Sequence, residues 1–325
     1  MGFRCRNRRS TRSCRRPLAL RPVFDELIRQ AAQGEVLHND DTGMKILARP
    51  PAAEAAEEAL GKARTGTFTS AIVAHVADHQ IALFFTGRRH AGENLAAVLA
   101  HRAAELDAPI QMCDALARNL PKPLEVALAN CLAHGRRQFV EVAANFPEEC
   151  RHVLERLAEV YRTDEQARTQ GLSPAERLRF HQTHSGPVMT ALHAWLTAQL
   201  DERRVEPNSG LGRAIRYLLT HWEPRTLFLR KACALLDNNI AERALKKSIL
   251  NRKNAYFYLT ENGARFGDLY MSLIHTCELC GVNAFEYLTE LQRHAPELAK
   301  TPGEWLPWTY QETLARARSS GGPAP

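Results

Sequence analysis

The spacing of apolar residues predicts one helix and two short extended runs near the start of the chain. The helical spacing is set by Phe24, Leu27, Ile28, Ala31 and Ala32. Gly34 ends this pattern, in the position where a glycine commonly follows a helix. Residues 35–38 then predict a strand, 39–43 a polar turn and 44–47 a second extended run.

Strands and helices alternate over the next stretch of the chain. Two apolar segments, 67–76 and 80–86, predict an antiparallel hairpin that turns at Asp78 and His79. Between them and the opening strands, residues 50–62 are rich in alanine and predict an inserted surface loop or helix. A helix is predicted over 93–106, and strands are predicted over 109–113 and 125–131. This alternation is typical of a mixed α/β sheet.

Long helical periodicities with charged faces replace the strands from residue 136 to about 222, which predicts a helical insertion. One helix start within it is clear, because Ser173, Pro174 and Glu176 occupy the cap, first and third positions of a capping box. Further helices are predicted over 213–222, 239–250, 264–280 and 284–292. The tail after Pro302 is expected to be loose.

Composition narrows the class of protein. The chain has 325 residues, of which 45% are hydrophobic, enough for a sizeable core. No apolar run approaches the roughly 18 residues that cross a bilayer, and the basic start lacks the apolar segment of a secretory signal. We therefore expect a cytoplasmic protein whose eight cysteines form no disulfide framework. Cys277 and Cys280 have metal-like spacing, but a lone pair inside an apolar helix favours core packing over zinc.

The charge favours a polyanionic partner. The formal net charge is +7, and residues 1–16 contain seven arginines and no acidic residue. That segment fits either a nucleic-acid arm or a frameshift scar ahead of the true domain, and in both cases disorder is expected over 1–20.

Three acidic residues stand out because each is expected at the edge of a regular element. Asp40 and Asp114 follow predicted strands, and Glu242 lies in the first turn of a predicted helix. Carboxylates that converge from such positions bind hard divalent ions, which phosphodiester chemistry requires. Each also has an ordinary explanation: Asp40 can cap a turn, Asp114 can cap a helix, and Glu242 can complete a capping box or pair with a lysine four residues later.

The surrounding motifs favour the chemical interpretation, because together they resemble the IS-sixty-six (IS66) family of insertion-sequence transposases. The matching segments occur in that family's order over roughly residues 21–310. They are His38-Asn39-Asp40-Asp41-Thr42-Gly43, Cys131-Leu132-Ala133-His134-Gly135-Arg136-Arg137-Gln138-Phe139, Asp237-Asn238-Asn239-Ile240-Ala241-Glu242-Arg243-Ala244-Leu245, Asn251-Arg252-Lys253-Asn254, Ser272-Leu273-Ile274-His275-Thr276, Gly281-Val282-Asn283-Ala284-Phe285-Glu286-Tyr287-Leu288 and Leu306-Pro307-Trp308.

The resemblance implies an α/β, ribonuclease-H-like mixed sheet with a large α-helical insertion and C-terminal helices. It also implies a DDE triad of Asp40, Asp114 and Glu242 that holds two magnesium or manganese ions and cuts and joins DNA. Asp114 rests on strand context and order alone, because Ala115 and Leu116 follow it where many relatives have glycine or tyrosine nearby.

The implied partners are transposon ends and target DNA, with copies of the chain assembled on them near the nucleoid. Seven basic or imidazole side chains near the motifs are candidate DNA contacts, and a solvated surface or a structural hydrogen bond explains them almost as well. They are His134, Arg136, Arg137, Lys246, Lys247, Arg252 and Lys253.

The expected organisation divides the catalytic domain into two parts, 21–135 and 226–295, around a helical insertion over 136–225, with a tail over 296–325. The N-terminal coiled coil, helix-turn-helix and zinc-binding element of the longer family members are not visible, so an N-terminally truncated chain is expected. The alternative functions are a catalytically incompetent, DNA-binding remnant, or a ribonuclease or resolvase that cleaves without joining. A helical scaffold gives no reason for the ordered motifs.

Overall fold

The computed structural model describes residues 19–48 and 66–319. The strands are β1 (Val36–Met44), β2 (Ile46–Ala48), β3 (Thr67–Val76), β4 (His79–Gly87), β5 (Ile110–Cys113), β6 (Ala127–Asn130) and β7 (Tyr258–Thr260). The helices up to the end of the predicted insertion are α1 (Arg21–Ala31), α2 (Ala91–Leu99), α3 (Leu132–Val142), α4 (Pro147–Thr169), α5 (Pro174–His184), α6 (Gly186–Asp201), α7 (Gly210–Thr220) and α8 (Trp222–Arg225). The later helices are α9 (Asn239–Ala255), α10 (Glu261–Leu279), α11 (Ala284–Arg293), α12 (Ala295–Leu298) and α13 (Tyr310–Ser319).

Five strands form one mixed sheet in the order β4–β3–β1–β5–β6. β3 runs antiparallel to both of its neighbours, whereas β1, β5 and β6 are parallel to one another. The short strands β2 and β7 pair separately. The chain is therefore mixed α/β, as its alternation of elements predicts.

The predicted turn over 39–43 is wrong. β1 continues through it and pairs with β3 from Val36 opposite His75 to Met44 opposite Thr67. The polar residues stay in the strand because side-chain and backbone partners satisfy them; Asn39 Nδ2, for example, donates to the carbonyl of Asn119 at 2.9 Å. Asp40 therefore lies inside a strand rather than after one.

The β3–β4 hairpin and the strands β5 and β6 confirm their predictions, although the hairpin turns at Ala77 and Asp78, one residue early. The helix predicted over 93–106 is shorter and ends at Leu99. The capping box at Ser173 is present, since its N–H donates to Glu176 Oε2 at 2.9 Å. Helices fill the segment from α3 to α8 and enclose their own apolar core against β5 and β6.

The tail after Pro302 is ordered against the main core, which corrects the expectation of a loose end. Trp305, Leu306 and Tyr310 are buried together with α1, β3 and β4. The hydroxyl of Tyr287 on α11 donates to the carbonyl of Trp305 at 2.7 Å. Burial of these large apolar side chains fixes the segment in spite of its prolines and glycine.

The expected disorder over residues 1–20 falls outside the described residues up to residue 18, and the predicted surface loop or helix over 50–62 lies entirely outside them. Cys277 is fully buried in the main core, and the Cys280 thiol donates to the carbonyl of Gln80 at 3.7 Å, which agrees with core packing of this pair. Within 19–48 and 66–319, no helix is both long enough and apolar enough to cross a membrane.

Candidate active site

Asp40 lies in β1, and Asp114 directly follows the neighbouring parallel strand β5. The register of β1 and β5 pairs Val36 with Ile110, Leu37 with Gln111 and His38 with Met112. The pairing ends there, because β1 continues through Asp40 whereas Asp114 directly follows the end of β5. Adjacent strands of a sheet lie about 4.8 Å apart at the backbone, so the carboxyl end of β5 places Asp114 close to Asp40. The charge of Asp114 acts on Asp40 and raises the pKa of that carboxyl.

Glu242 approaches from α9, which packs across β1 and β3. Burial is the main cause that raises the pKa of Asp40 to about 7, although a 2.8 Å hydrogen bond from the Asp41 N–H opposes the shift. The negative charges of Asp114, Asp41 and Glu242 raise that pKa further. Asp40, Asp114 and Glu242 thus share one electrostatic environment, although they are separated in sequence.

A polar network holds Asp114. Its Oδ1 accepts hydrogen bonds from the Leu116 N–H at 3.2 Å and from the Asn119 side chain. The carbonyl of Asn119 in turn accepts from Gln111 Nε2 at 2.6 Å and from Asn39 Nδ2. Asp114 therefore caps the short turn that follows it, and the same network fixes it against β1 and β5.

Asn238 joins the start of α9 to the sheet, and the sequence reasoning missed this role. Its Nδ2 donates to the carbonyl of Asn39 at 3.1 Å, and its Oδ1 lies 3.0 Å from His38 Nδ1. Burial lowers the pKa of His38 to about 3, so the neutral ring donates Nδ1–H to Asn238. The only sequence signal for this residue was its place beside Asp237 in the third motif.

Glu242 does not have the ordinary roles considered for it. The residue before α9 is Asn238, and the Glu242 N–H donates to its carbonyl at 3.2 Å, so Glu242 is the fourth residue of the helix. The predicted capping box with Asn239 is therefore wrong. Its carboxylate lies 3.8 Å from His134 Nε2, and no ion pair with Lys246 occurs among residues 19–48 and 66–319.

Asp41 points to the opposite face from Asp40 and has charged partners there. Its Oδ2 lies 2.9 Å from His90 Nδ1, and its Oδ1 lies 3.2 Å from an Arg118 nitrogen. Asp237 is a further acidic neighbour of Glu242; burial is the largest cause that raises its pKa, and the charges of Asp164 and Glu242 add to it. The sequence analysis did not propose Asp237 as a site residue. Its burial, which raises its pKa, depends on the fold and could not be read from the motif.

The basic candidates divide into two groups. Arg136, Arg137, Lys246 and Lys253 are exposed. Lys247 instead pairs with Glu278, and Arg252 donates to Thr42 Oγ1 at 3.2 Å and to the carbonyl of Gly43. These last two side chains therefore have structural contacts that the sequence could not reveal.

The carboxylate group fits a hard divalent cation. In the part of the chain that the structure describes, no lysine, arginine or histidine forms an ion pair with Asp40 or Asp114. A buried carboxyl whose pKa is raised by neighbouring carboxylates gains stability from a cation bound between them, and carboxylate oxygens are the ligands that Mg²⁺ and Mn²⁺ prefer. Such a site can polarise water or a hydroxyl group for attack at phosphorus.

Known relatives include uncharacterised proteins of Sinorhizobium fredii (strain NBRC 101917 / NGR234). One, y4hP, is 30% identical over 319 residues, which cover 91% of this chain and 54% of the relative. Another, y4jD, is 32% identical over 188 residues, which cover 57% of this chain and 36% of the relative. The chain thus spans about half the length of y4hP and about a third of y4jD. No solved structure matches the chain.

The family comparison covers most of the chain. The sequence profile described as "Transposase IS66 family" matches residues 9–266, a stretch that includes Asp40, Asp114 and Glu242. The C-terminal motifs after residue 266 lie beyond that match. The chain belongs to the IS66 family of transposases.

Proposed function

We propose that this chain is the catalytic part of a DDE-type transposase, which hydrolyses DNA phosphodiesters and transfers the cut strand to target DNA. The observation that supports it most directly is the convergence of Asp40 in β1, Asp114 at the end of the adjacent β5 and Glu242 on α9. Membership of the IS66 family supports the same activity. The proposed fold is ribonuclease-H-like, supported by an antiparallel hairpin on one side of three parallel strands.

In the proposed reaction, water attacks a phosphodiester at a transposon end and releases a 3′ hydroxyl, which then attacks target DNA. Asp40, Asp114 and Glu242 would hold two magnesium or manganese ions. When bound, those ions lower the pKa of the attacking oxygen and stabilise the leaving one. No side chain forms a covalent intermediate, so these carboxylates act by positioning and by charge.

The residues around the triad have positioning roles in this proposal. Asn119 orients Asp114, and Asn238 fixes the start of α9 and hence Glu242 relative to Asp40. His134, 3.8 Å from Glu242, is placed to contact that carboxylate or a nearby phosphate. Productive geometry in such a site tolerates only small displacements, so these contacts should affect rate.

The proposed partners are transposon ends and target DNA, on which copies of the chain assemble. Arg136, Arg137, Lys246 and Lys253 are exposed and close in sequence to the site residues, so they are available to phosphates. Lys247 and Arg252 are weaker candidates, because each already contacts another part of the chain.

The test is a cleavage and joining assay on labelled insertion-sequence ends with magnesium or manganese. We expect Asp40→Asn, Asp114→Asn and Glu242→Gln each to lower the rate by at least about 10³-fold, because each removes a metal ligand. Asp78→Asn, in the exposed hairpin turn, is the matched control and should retain full activity. Activity that survives Asp114→Asn would move the second carboxylate elsewhere.

The second candidate is a DNA-binding protein without catalysis, in which the exposed Arg136, Arg137, Lys246 and Lys253 contact phosphates but the carboxylates cut nothing. A folded wild type that binds DNA but cuts nothing with either metal would support that candidate. Cleavage without joining would instead indicate a nuclease.

A further inference from the structure

We propose that Cys131, His134 and Glu242 form a second cation site, selective for a thiophilic ion such as Zn²⁺, which shares Glu242 with the proposed catalytic carboxylates. One ligand atom of each residue lies within 4.8 Å of the other two. A thiolate, an imidazole and a carboxylate are together a typical zinc ligand set, whereas magnesium prefers oxygen alone.

Two structural elements bring these ligands together. Cys131 follows β6 directly, and His134 lies in the first turn of α3, so one helical turn places both side chains at the same end of the helix. Glu242 comes from α9. The N–H of Asn238, which precedes α9, donates to Cys131 Sγ at 3.3 Å and ties the two helix starts to each other.

The surroundings of Cys131 keep the metal-free thiol protonated and offer donors to a metal-bound sulfur. Burial is the largest cause that raises the pKa of this thiol, to about 11, whereas the backbone N–H groups of Asn238, His134 and Ala133 donate to the sulfur and oppose that shift. The residue also occupies the N-terminal cap of an eleven-residue helix, where the helix dipole favours negative charge. When the metal–sulfur bond forms, the thiol proton leaves to solvent, and the same N–H groups then stabilise the thiolate.

The site is open on one side. The side chains of His134 and Glu242 are 24% and 32% exposed, whereas Cys131 is buried behind them. The Nδ1 atom of His134 is buried and has no hydrogen-bond partner in the described structure. Three protein ligands and an open position match the tetrahedral geometry that zinc adopts with a bound water.

A consequence for the proposed reaction follows from the shared ligand. The Glu242 carboxylate cannot bind a cation at both sites with all of its ligand atoms at once. Zn²⁺ bound by Cys131, His134 and Glu242 should therefore reduce the binding of Glu242 to a metal ion held by Asp40 and Asp114. This part rests on the proposed transposase function, whereas cation binding itself does not.

Binding is tested by titrating the full chain with Co²⁺, which reports its ligands through its absorption spectrum. We expect a thiolate-to-cobalt charge-transfer band and the intense visible bands of tetrahedral cobalt, both displaced by Zn²⁺ but not by a large excess of Mg²⁺. Cys131→Ser should remove the charge-transfer band and weaken Zn²⁺ binding by at least about 100-fold, the upper end of the loss seen even for outer-shell changes. A spectrum without a thiolate band in the wild type would overturn the proposal.

Two further variants make the assignment specific. Cys280→Ser alters the closely spaced pair Cys277 and Cys280, which lies outside the proposed site, and should leave the cobalt spectrum unchanged. His134→Ala, at a partly exposed position, should weaken cobalt binding even if Cys131→Ser fails to fold, as checked by circular dichroism. A thiolate band that survives in folded Cys131→Ser, or an unchanged cobalt affinity in His134→Ala, would overturn the proposal.

Inhibition is measured separately in the cleavage assay. Zn²⁺ should inhibit magnesium-dependent cleavage by the wild type, and Cys131→Ser should resist the same Zn²⁺ concentration. Inhibition that is equal in both proteins would overturn the shared-ligand consequence. A wild type that cleaves nothing would count against the proposed function, while the cobalt titration would still decide whether this site exists.

Discussion

At the scale of single residues, Asp40 is the proposed catalytic carboxylate whose ionised form is destabilised by its surroundings. Burial and three neighbouring carboxylates raise its pKa to about 7, from an ordinary value of 3.8. The folded chain therefore holds a proton on Asp40 at pH values where the unfolded chain has lost it. A cation bound there would replace that proton.

The raised pKa of Asp40 predicts how the free energy of unfolding depends on pH in the absence of added metal. Because the folded-state pKa is raised, Asp40 destabilises the fold increasingly as pH rises from about 4 to 7, and fully above that range. Asp40→Asn should therefore increase the free energy of unfolding by roughly 1–3 kcal/mol at pH 8 and by little at pH 4. Urea denaturation at both pH values measures it. Asp78→Asn is the control, and an equal difference at both pH values would contradict the prediction.

A second residue-scale prediction concerns Asn238. Asn238→Ala removes its bonds to His38 and to the Asn39 carbonyl, both buried, and should destabilise the fold by about 1–3 kcal/mol. Because Asn238 positions Glu242, the Asn238→Ala variant should also cleave DNA more slowly at saturating metal and DNA.

The matched control is Asn283→Ala, which removes the cap of α11, where Asn283 Oδ1 accepts from the Phe285 N–H at 3.0 Å. It should cost about 1 kcal/mol and leave the cleavage rate unchanged. Equal losses of cleavage rate in the two variants would argue against a positioning role for Asn238.

At the scale of elements, α10 and β4 are joined by side-chain acceptors spaced one helical turn apart. Asp268 Oδ2 accepts from the Thr86 N–H at 2.6 Å, Ser272 Oγ from Phe84 at 2.9 Å and Thr276 Oγ1 from Ala82 at 3.1 Å. These N–H groups belong to the edge of β4 that is not paired with another strand of the sheet. Residues at i, i+4 and i+8 on the helix thus match alternate residues along the strand.

Thr276→Val tests this joint with almost no change in volume. It leaves the buried N–H of Ala82 without an acceptor and should destabilise the chain by about 1–3 kcal/mol. Thr289→Val, on an exposed face of α11, is the control and should change stability by less than about 0.5 kcal/mol. Thermal unfolding of both variants decides the point, and similar melting temperatures would show that the hydrogen bond contributes little.

Secondary-structure elements were predicted well where the apolar periodicity of the segment determines them. They were predicted poorly where contacts with residues distant in sequence determine the conformation. The β3–β4 hairpin, β5 and the long helices follow from their apolar spacing. The polar segment 39–43 resembles a turn on its own, and only pairing with β3 keeps it extended. The tail after Pro302 has little local preference and is fixed by burial of Trp305 and Tyr310.

The candidate site shows the same division. Asp40 and Glu242 were chosen because of their motifs and Asp114 because of its strand context and order, and in the structure the charges of Asp114 and Glu242 raise the pKa of Asp40. Asn238 contacts His38 and Asn39 from about 200 positions away, so its place in a motif could not reveal these contacts. Likewise, the pairing of Lys247 with Glu278 depends on the packing of α9 against α10.

At the scale of the whole molecule, the candidate site lies where the sheet meets the helical segment. Asp40 belongs to the sheet and Asp114 directly follows β5, whereas the apolar core of α3 to α8 packs against β5 and β6. Exposed arginines on α3 therefore lie close in sequence to Cys131 and His134. DNA that reaches the carboxylates is expected to pass over this helix.

This arrangement predicts the salt dependence of DNA binding. Arg136→Ala and Arg137→Ala should each weaken binding and reduce the slope of log affinity against log salt by about 1. Lys247→Ala should change the slope less, because that ammonium already pairs with Glu278. Fluorescence anisotropy over a range of salt concentrations measures the slopes, and three equal slopes would contradict the proposed path of the DNA.

The side chains of α10 along β4 also restrict how copies of this chain can associate. An edge strand whose outward N–H groups are free can recruit a strand from another molecule and extend one sheet through both. Here Asp268, Ser272 and Thr276 already occupy those donors. The proposed multimer on DNA is therefore not expected to form by strand addition at β4.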